Sequence, residues 1–186
     1  MRKEILTILA VTFCMAFTLI PANNNRIAWI PAIQLSWNDF KGTPENNTVE
    51  LAATDYSILY TLHAFSQGMT ITLKCAFNIK SSWTKDTTDE FLLSHELGHF
   101  NLAEVYARKI RKDLSSQSFK YDSATNQFKK VYNKYYTLLN KQQDAYDFAT
   151  NFSKNHIVQK LWTARIDSML HSLDSYRDTV LHLSIQ

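Results

Sequence analysis

At 186 residues and a net charge of +3, the chain suits one domain with a real core, and its bulk charge implies neither nucleic acid nor an acidic membrane as a partner. Only three Gly and three Pro occur, which argues against linkers, collagen-like repeats and a turn-rich β-sandwich. No internal repeat or low-complexity tract appears along it.

Residues 1–22 read as an export signal. Arg2 and Lys3 give a positive start, Ile5 to Ile20 is apolar apart from Thr7, Thr12 and Thr18, and the polar "PANNN" follows, with Ala22 just before the cleavage point. The run is short for a membrane span; removal of the signal leaves no stable span and places the mature chain, 23–186, in the periplasm or outside the cell, and the alternative reading is an uncleaved signal anchor. Cys75 is then the only cysteine, and the domain folds without an internal disulfide. Cys75 lies in an alternating pattern and reads as a half-buried structural thiol rather than a nucleophile.

The mature chain divides into a strand-like front and a helical back. "QLSWNDFKG" opens the front, with Gly42 and Pro44 ending that segment. "YSILYTLHAF" and "MTITLKCAFNIK" flank "SQG"; in the second run Met69, Ile71, Leu73, Cys75, Phe77 and Ile79 alternate with Thr70, Thr72, Lys74, Ala76, Asn78 and Lys80. Period two around a Gly-containing turn predicts a β-hairpin with one buried face. His63, among polar neighbours, reads as a surface or rim residue. Thr87 and Glu90 have capping-box spacing and Asp89 falls in the first turn, predicting a helix from about Thr88 to Asp113. A second helix is predicted from about Ser123 to Phe152, on Phe128, Val131, Tyr132, Tyr135, Leu138 and Leu139. A third is predicted from about Ser153 to Leu183, on Ile157, Leu161, Ile166, Met169, Leu173, Tyr176 and Val180. A small antiparallel sheet followed by three long helices makes an α+β domain.

The first helix contains "SHELGHF", a His-Glu-x-x-His pattern. His95 and His99 are one turn apart and leave the same face. Two neutral imidazoles as ligands and an adjacent carboxylate are what a zinc hydrolase needs. Zinc brings the pKa of a bound water towards ~7, and Glu96 is placed to take its proton and pass it to a leaving amine. Gly98 costs about 1 kcal/mol against Ala inside a helix, so a close approach by another group at that point is its natural explanation.

A catalytic zinc normally has three protein ligands and one open position. Glu104 is nine residues after His95, about 180° round the helix, and cannot share the metal. It reads instead as a group supporting the ligands from behind or as an exposed ion-pair partner of Arg108. The third ligand must come from another segment. On the second helix Gln143, Asp147 and Thr150 form a polar stripe with Tyr146 beside it. Asp147 is a hard oxygen ligand suited to zinc, with Gln143 and Thr150 placed to orient it. His156, at the start of the third helix, is the other candidate. Asp144 is on a different face, and His171 and His182 suggest no role.

Taken together, "LSWNDFKG", "AAT", the Ser82-Trp83 pair, "SHELGHFNLAEVYARKIR" and "QDAYD" resemble, in this order, a family of exported bacterial proteins known as a domain of unknown function and suspected to be zinc-dependent proteases. The resemblance covers about Leu35 to Ile166. It implies a zincin-like metallopeptidase with His95 and His99 on Zn2+ and Glu96 as base, and it implies no known substrate. In that family the Tyr-Asp pair is usually followed by Glu-Thr and then His-Gly; here Ala149-Thr150 and Phe152-Ser153 stand instead. Phe152 can neither ligate zinc nor donate a hydrogen bond, so any role of that histidine is lost here unless His156, one turn on, substitutes.

The resulting expectation is an exported zinc metallopeptidase or amide hydrolase acting on a peptide or protein. The competing expectation is a zincin-like module of the cell envelope that has lost activity and binds a partner. Glu96 and an open coordination position separate the two.

Overall fold

A computed structural model describes residues 25–44, 46–65 and 67–185; the expected export signal lies outside them. In chain order the elements are strands β1 (Arg26–Ala28), β2 (Ala52–Ala53), β3 (Tyr56–Phe65), β4 (Gly68–Asn78) and β5 (Trp83–Thr84), helices α1 (Glu90–Ser115), α2 (Ala124–Thr150) and α3 (His156–Ser172), and strand β6 (Val180–Ser184). The fold is α+β, as the alternation and the helical periods predict.

The hairpin forms as its pattern requires. β3 and β4 pair antiparallel from Tyr56 opposite Phe77 to Phe65 opposite Gly68. Met69, Ile71, Leu73, Cys75 and Phe77 all point into the core. Cys75 is fully rather than half buried, and burial pushes its thiol well above the ordinary range, so it is an inert core residue. The other edge of β4 is shared by the two ends of the described chain. β6 pairs with Gly68–Thr72 and β1 with Ala76–Asn78, both antiparallel. β2 and β5 form a separate two-stranded ribbon, Ala52 opposite Thr84 and Ala53 opposite Trp83. "QLSWNDFKG" is not extended. Asp39 accepts from the Ser36 amide and hydroxyl and winds Trp37–Asp39 into one 3-10 turn, while Leu35 and Phe40 on either side anchor it in the core.

α1 lies at the centre, packed against β3 and β4 on one side and α2 and α3 on the others. Phe100, Leu102, Val105, Ala107, Ile110 and Leu114 are all solvent-inaccessible. A helix enclosed this way must pair every polar side chain it carries. Glu104, expected at an exposed or supporting position, is buried. Its Oε1 accepts from Arg108 Nε at 3.0 Å and Arg111 Nη2 at 2.5 Å. The helix also starts differently from expectation: Asp89, not Thr87, is the cap, its carboxylate accepting from the Phe91 and Leu92 amides.

α2 keeps close to its predicted bounds. It ends where Asn151, Phe152 and Ser153 take φ of 49°, 52° and 71° in succession. The third helix is shorter than predicted. It starts at His156, capped by Asn155 accepting from Val158 N, and stops at Ser172. Tyr176 sits in a 3-10 turn and Val180 opens β6. Leu181 and Leu183 alternate inward on that strand, and its partner β4 is more than a hundred residues away, so a helical period that fits through Val180 hides it. Among the described residues, no helix is long and apolar enough to cross a membrane.

Candidate metal centre

α1 and α2 bring three ligand atoms together. His95 Nε2 and His99 Nε2 are 3.1 Å apart, and Asp147 Oδ1 is 3.0 Å from each. A tetrahedral site with bonds of ~2.0–2.1 Å has edges of ~3.3 Å, so this triangle has the size of one face of such a site. All three residues line the same cleft. His95, His99 and Asp147 are the group of potential ligands that the described residues converge.

The hydrogen bonds behind the triangle decide its chemistry. His99 Nδ1 donates to Gln143 Oε1 at 2.8 Å, and the same Gln143 amide donates from Nε2 to His99 O at 3.0 Å, which fixes the amide's orientation. His95 Nδ1 donates to Gln159 Oε1 at 3.0 Å, while Gln159 Nε2 donates to the Tyr146 hydroxyl, which donates in turn to His95 O at 3.2 Å. Both imidazoles therefore hold their proton on Nδ1 and turn an Nε2 lone pair inward. Two lone pairs and a carboxylate facing one another at this distance need a cation, or a shared proton, between them. Burial opposes charge at both His99 and Asp147. When a proton occupies the triangle, the Asp147 hydrogen bond and the Glu96 and Asp147 charges outweigh burial and raise the His99 pKa, and the same hydrogen bonding to the imidazoles holds the Asp147 carboxyl well below its usual range.

Tyr146 supports the centre from below. Its ring stacks on His95, centroids 4.6 Å apart, and it lies wholly in the core. This is what Gly98 makes room for: a Cβ there would stand 2.7 Å from the phenol Cζ and overlap the hydroxyl. Burial raises the Tyr146 pKa, so the phenol stays a neutral donor. Gln143 and Thr150, expected to orient Asp147, do something else. Gln143 grips His99, and Thr150 Oγ1 donates to Tyr146 O at 2.8 Å.

Glu96 faces the cleft and is buried, with Oε2 lacking any hydrogen-bond partner. An orphan carboxylate oxygen beside three converging ligand atoms fits a site built around a cation and a water. The Glu96 carbonyl accepts from Thr54 Oγ1 at 3.2 Å, tying α1 to the end of the β2–β5 ribbon. That ribbon is made from the "AAT" and Ser82-Trp83 segments. The cleft holds about 420 Å³, within the range of small-ligand pockets. Leu92 forms part of its apolar wall, Val49, Leu51 and Phe152 its exposed rim, and Tyr56 and Lys154 are its potential donors. Burial pushes the Tyr56 phenol up to about 12.

His156 does not join the group. It is exposed and stacks on Phe91, centroids 3.8 Å apart. Its place at the start of α3 turns its ring outward, and it is Gln159, one turn on and inward, that meets His95. Glu104 is likewise remote from the triangle, as its angle on the helix requires, and pairs with the two arginines. Sequence reasoning missed Gln159, Tyr56 and Thr54. A glutamine on a helix whose neighbours are mixed gives no sign that it is inward, and strand-end Tyr and Thr residues carry no spacing signal.

No curated protein and no solved structure matches the chain. The family model described as "Bacterial protein of unknown function (DUF922)" matches residues 21–155, a span holding His95, Glu96, His99, Gln143 and Asp147 but ending before Gln159. The chain belongs to that family.

Proposed function

We propose that this chain is an exported zinc-dependent metallopeptidase or amide hydrolase of the zincin-like type, acting on a peptide or protein. The observation that carries the reading is the convergence of His95 Nε2, His99 Nε2 and Asp147 Oδ1 to 3.0–3.1 Å, with each Nδ1 within hydrogen-bond distance of a glutamine oxygen. Nitrogen and carboxylate donors in that number and geometry suit zinc with one position left open. Zinc in such a site supplies a water acidic enough to lose a proton near neutral pH and an electrophile for a carbonyl oxygen. The chain's own residues do the rest. Gln143 and Gln159 hold the imidazoles in the ligating tautomer. Glu96, with Oε2 free, accepts the proton of the attacking water and returns it to the leaving amine. Tyr56 and Lys154 at the cleft are the side chains able to donate to an oxyanion.

The test is metal analysis followed by peptide-library cleavage. The purified protein should hold close to one zinc per chain and lose it to chelators. Glu96→Gln should keep the zinc and lose hydrolysis by roughly two to four orders of magnitude. A folded preparation that cannot be loaded with zinc would overturn the reading. One observation favours the alternative, a binding module without activity: Phe152, an exposed apolar side chain that cannot donate a hydrogen bond, lines the cleft. Zinc binding with no cleavage by either wild type or Glu96→Gln would select it.

A further inference from the structure

The corner where α2 turns into α3 carries a surface that the metal centre does not use. α3 buries Gln159, Trp162 and Ile166. At ~100° per residue, Ile157 and Leu161 stand on the opposite side of the helix. They are 77% and 66% exposed. On the outward side of the last turn of α2, Phe148 is 87% exposed, and in the turn itself Phe152 is 56% exposed. An amphipathic helix would place polar residues at such positions. Single exposed apolar side chains are ordinary, but these four occupy the last turn of one helix, the connecting turn and the first two turns of the next.

The charge of the same corner is one-sided. From Phe148 to Ile166 the sequence has no Asp or Glu, and it holds Lys154, Lys160 and Arg165, all exposed. The acids lie around the segment rather than in it: Glu90 and Asp167 share a cleft with Lys160 on the flank, Glu50 lines the metal-centre cleft with Phe152 and Lys154, and exposed Asp144 precedes Phe148 by one turn. The near-balanced total, 20 basic against 17 acidic residues, conceals this local excess. A protein-docking surface usually surrounds its apolar centre with a mixed polar rim. Apolar tips carried on a segment whose only charged side chains are cations match an anionic bilayer surface, where the tips enter the headgroup boundary and the cations meet lipid charge.

We propose that the α2–α3 corner docks on anionic lipid surfaces. Phe148, Phe152, Ile157 and Leu161 enter the interface, and Lys154, Lys160 and Arg165 pair with headgroups. Phe152 and Lys154 also line the metal-centre cleft, so docking sets the cleft mouth against the bilayer. The proposal does not rest on the metal or on hydrolysis.

The test is co-sedimentation of the chain Asn23–Gln186 with vesicles. Among the described residues, this chain keeps all those of the core and those packed on them, from Ile27 to Ile185, and it excludes the apolar N-terminal run. Vesicles of phosphatidylglycerol and phosphatidylethanolamine should pull the protein down, and phosphatidylcholine alone should not. Raising the salt should weaken binding, because exposed charges are screened. Lys154→Gln and Lys160→Gln should each weaken it on the order of fivefold. The triple variant F148S/I157S/L161S should lose tenfold or more while its circular dichroism and melting midpoint stay unchanged. The proposal fails if wild type stays in the supernatant with anionic vesicles or if the folded triple variant binds as well as wild type. It also fails if sedimentation velocity finds a dimer that the triple variant abolishes and no vesicle binding is seen, since the corner would then be a contact between copies.

Discussion

Helix α1 carries two buried polar clusters about two turns apart, and they are resolved in opposite ways. In the Glu104 cluster every charge meets its complement: Glu104 binds Arg108 and Arg111, Arg111 also donates to Leu73 O and Tyr176 O, and Arg108 donates to Leu170 O and stands 3.5 Å from Asp174. In the His95 cluster acceptors face acceptors, and Glu96 keeps an oxygen with no partner. The first cluster ties α1 to β4 and to the segment after α3. The second is tied from behind by two glutamines and left incomplete in front. Burial and polarity alone do not distinguish the two clusters; the orphan oxygen of Glu96 and the facing acceptors do.

The comparison breaks most plainly at Arg111. Removing one partner of a buried ion pair costs about 3–5 kcal/mol, so Arg111→Ala or Glu104→Ala should lower the urea midpoint of the metal-free protein severely. Glu96→Gln, which removes a carboxylate that has no partner at Oε2, should change stability by less than about 1 kcal/mol. Equal costs at Glu104 and Glu96 would erase the distinction between the clusters.

Zinc sharpens it from the other side. Saturation at a hundred times Kd should stabilise the fold by about 2.7 kcal/mol, read as a rise in melting temperature. Asp147→Ala should remove most of that rise, and Asp144→Ala, at an exposed position on the same helix, should leave it intact. Gln159→Ala should weaken zinc about 10–100-fold, because His95 loses the acceptor that sets its tautomer.

A smaller effect appears with pH in the metal-free chain. Asp147 has a lowered pKa, so its contribution is present above ~3.9 and is lost as pH falls through the folded value. His99 has a raised pKa, so its contribution is present below ~6.5 and is lost as pH rises through the folded value. The advantage of wild type over Asp147→Asn in melting temperature should therefore be greatest between about pH 4 and 6.5. A flat difference across that range would mean the triangle holds no shared proton. The smallest effect is at Ser153, whose φ of 71° favours glycine. Ser153→Gly should raise stability by up to about 1 kcal/mol, and a loss would show that the side chain contributes more than the strain costs.

What could be read in the sequence followed short-range periodicity. The β3–β4 hairpin declares itself by strict alternation, and the His95–Glu96–His99 face by one-turn spacing. Asp147 could be singled out because a polar stripe on an otherwise apolar helix needs a reason. The pairing of β6 with β4 could not, because it joins segments more than a hundred residues apart and Val180 also satisfies a helical period. Glu104 looked solvated because an i,i+4 ion pair has the same spacing whether exposed or buried. Ile157 and Leu161 fitted the core period of α3, yet the helix turns them outward, since the inward side is taken by Gln159, Trp162 and Ile166. Periodicity identifies a face; it does not say which way that face turns.

The shared edge of β4 has a consequence for how this protein is made. One half of that edge is closed by β1 and the other by β6, so the sheet is closed only after a strand more than a hundred residues downstream of β4 has been made. A product cut short before Val180 retains the whole metal triangle and Gln159. It leaves the Gly68–Thr72 stretch with unpaired amides and carbonyls, beside Met69 and Ile71 that the full chain buries. Such an edge recruits other strands. A chain cut before Val180 therefore keeps the ligand triangle on a sheet with an open edge, and β6 is the strand that covers that edge.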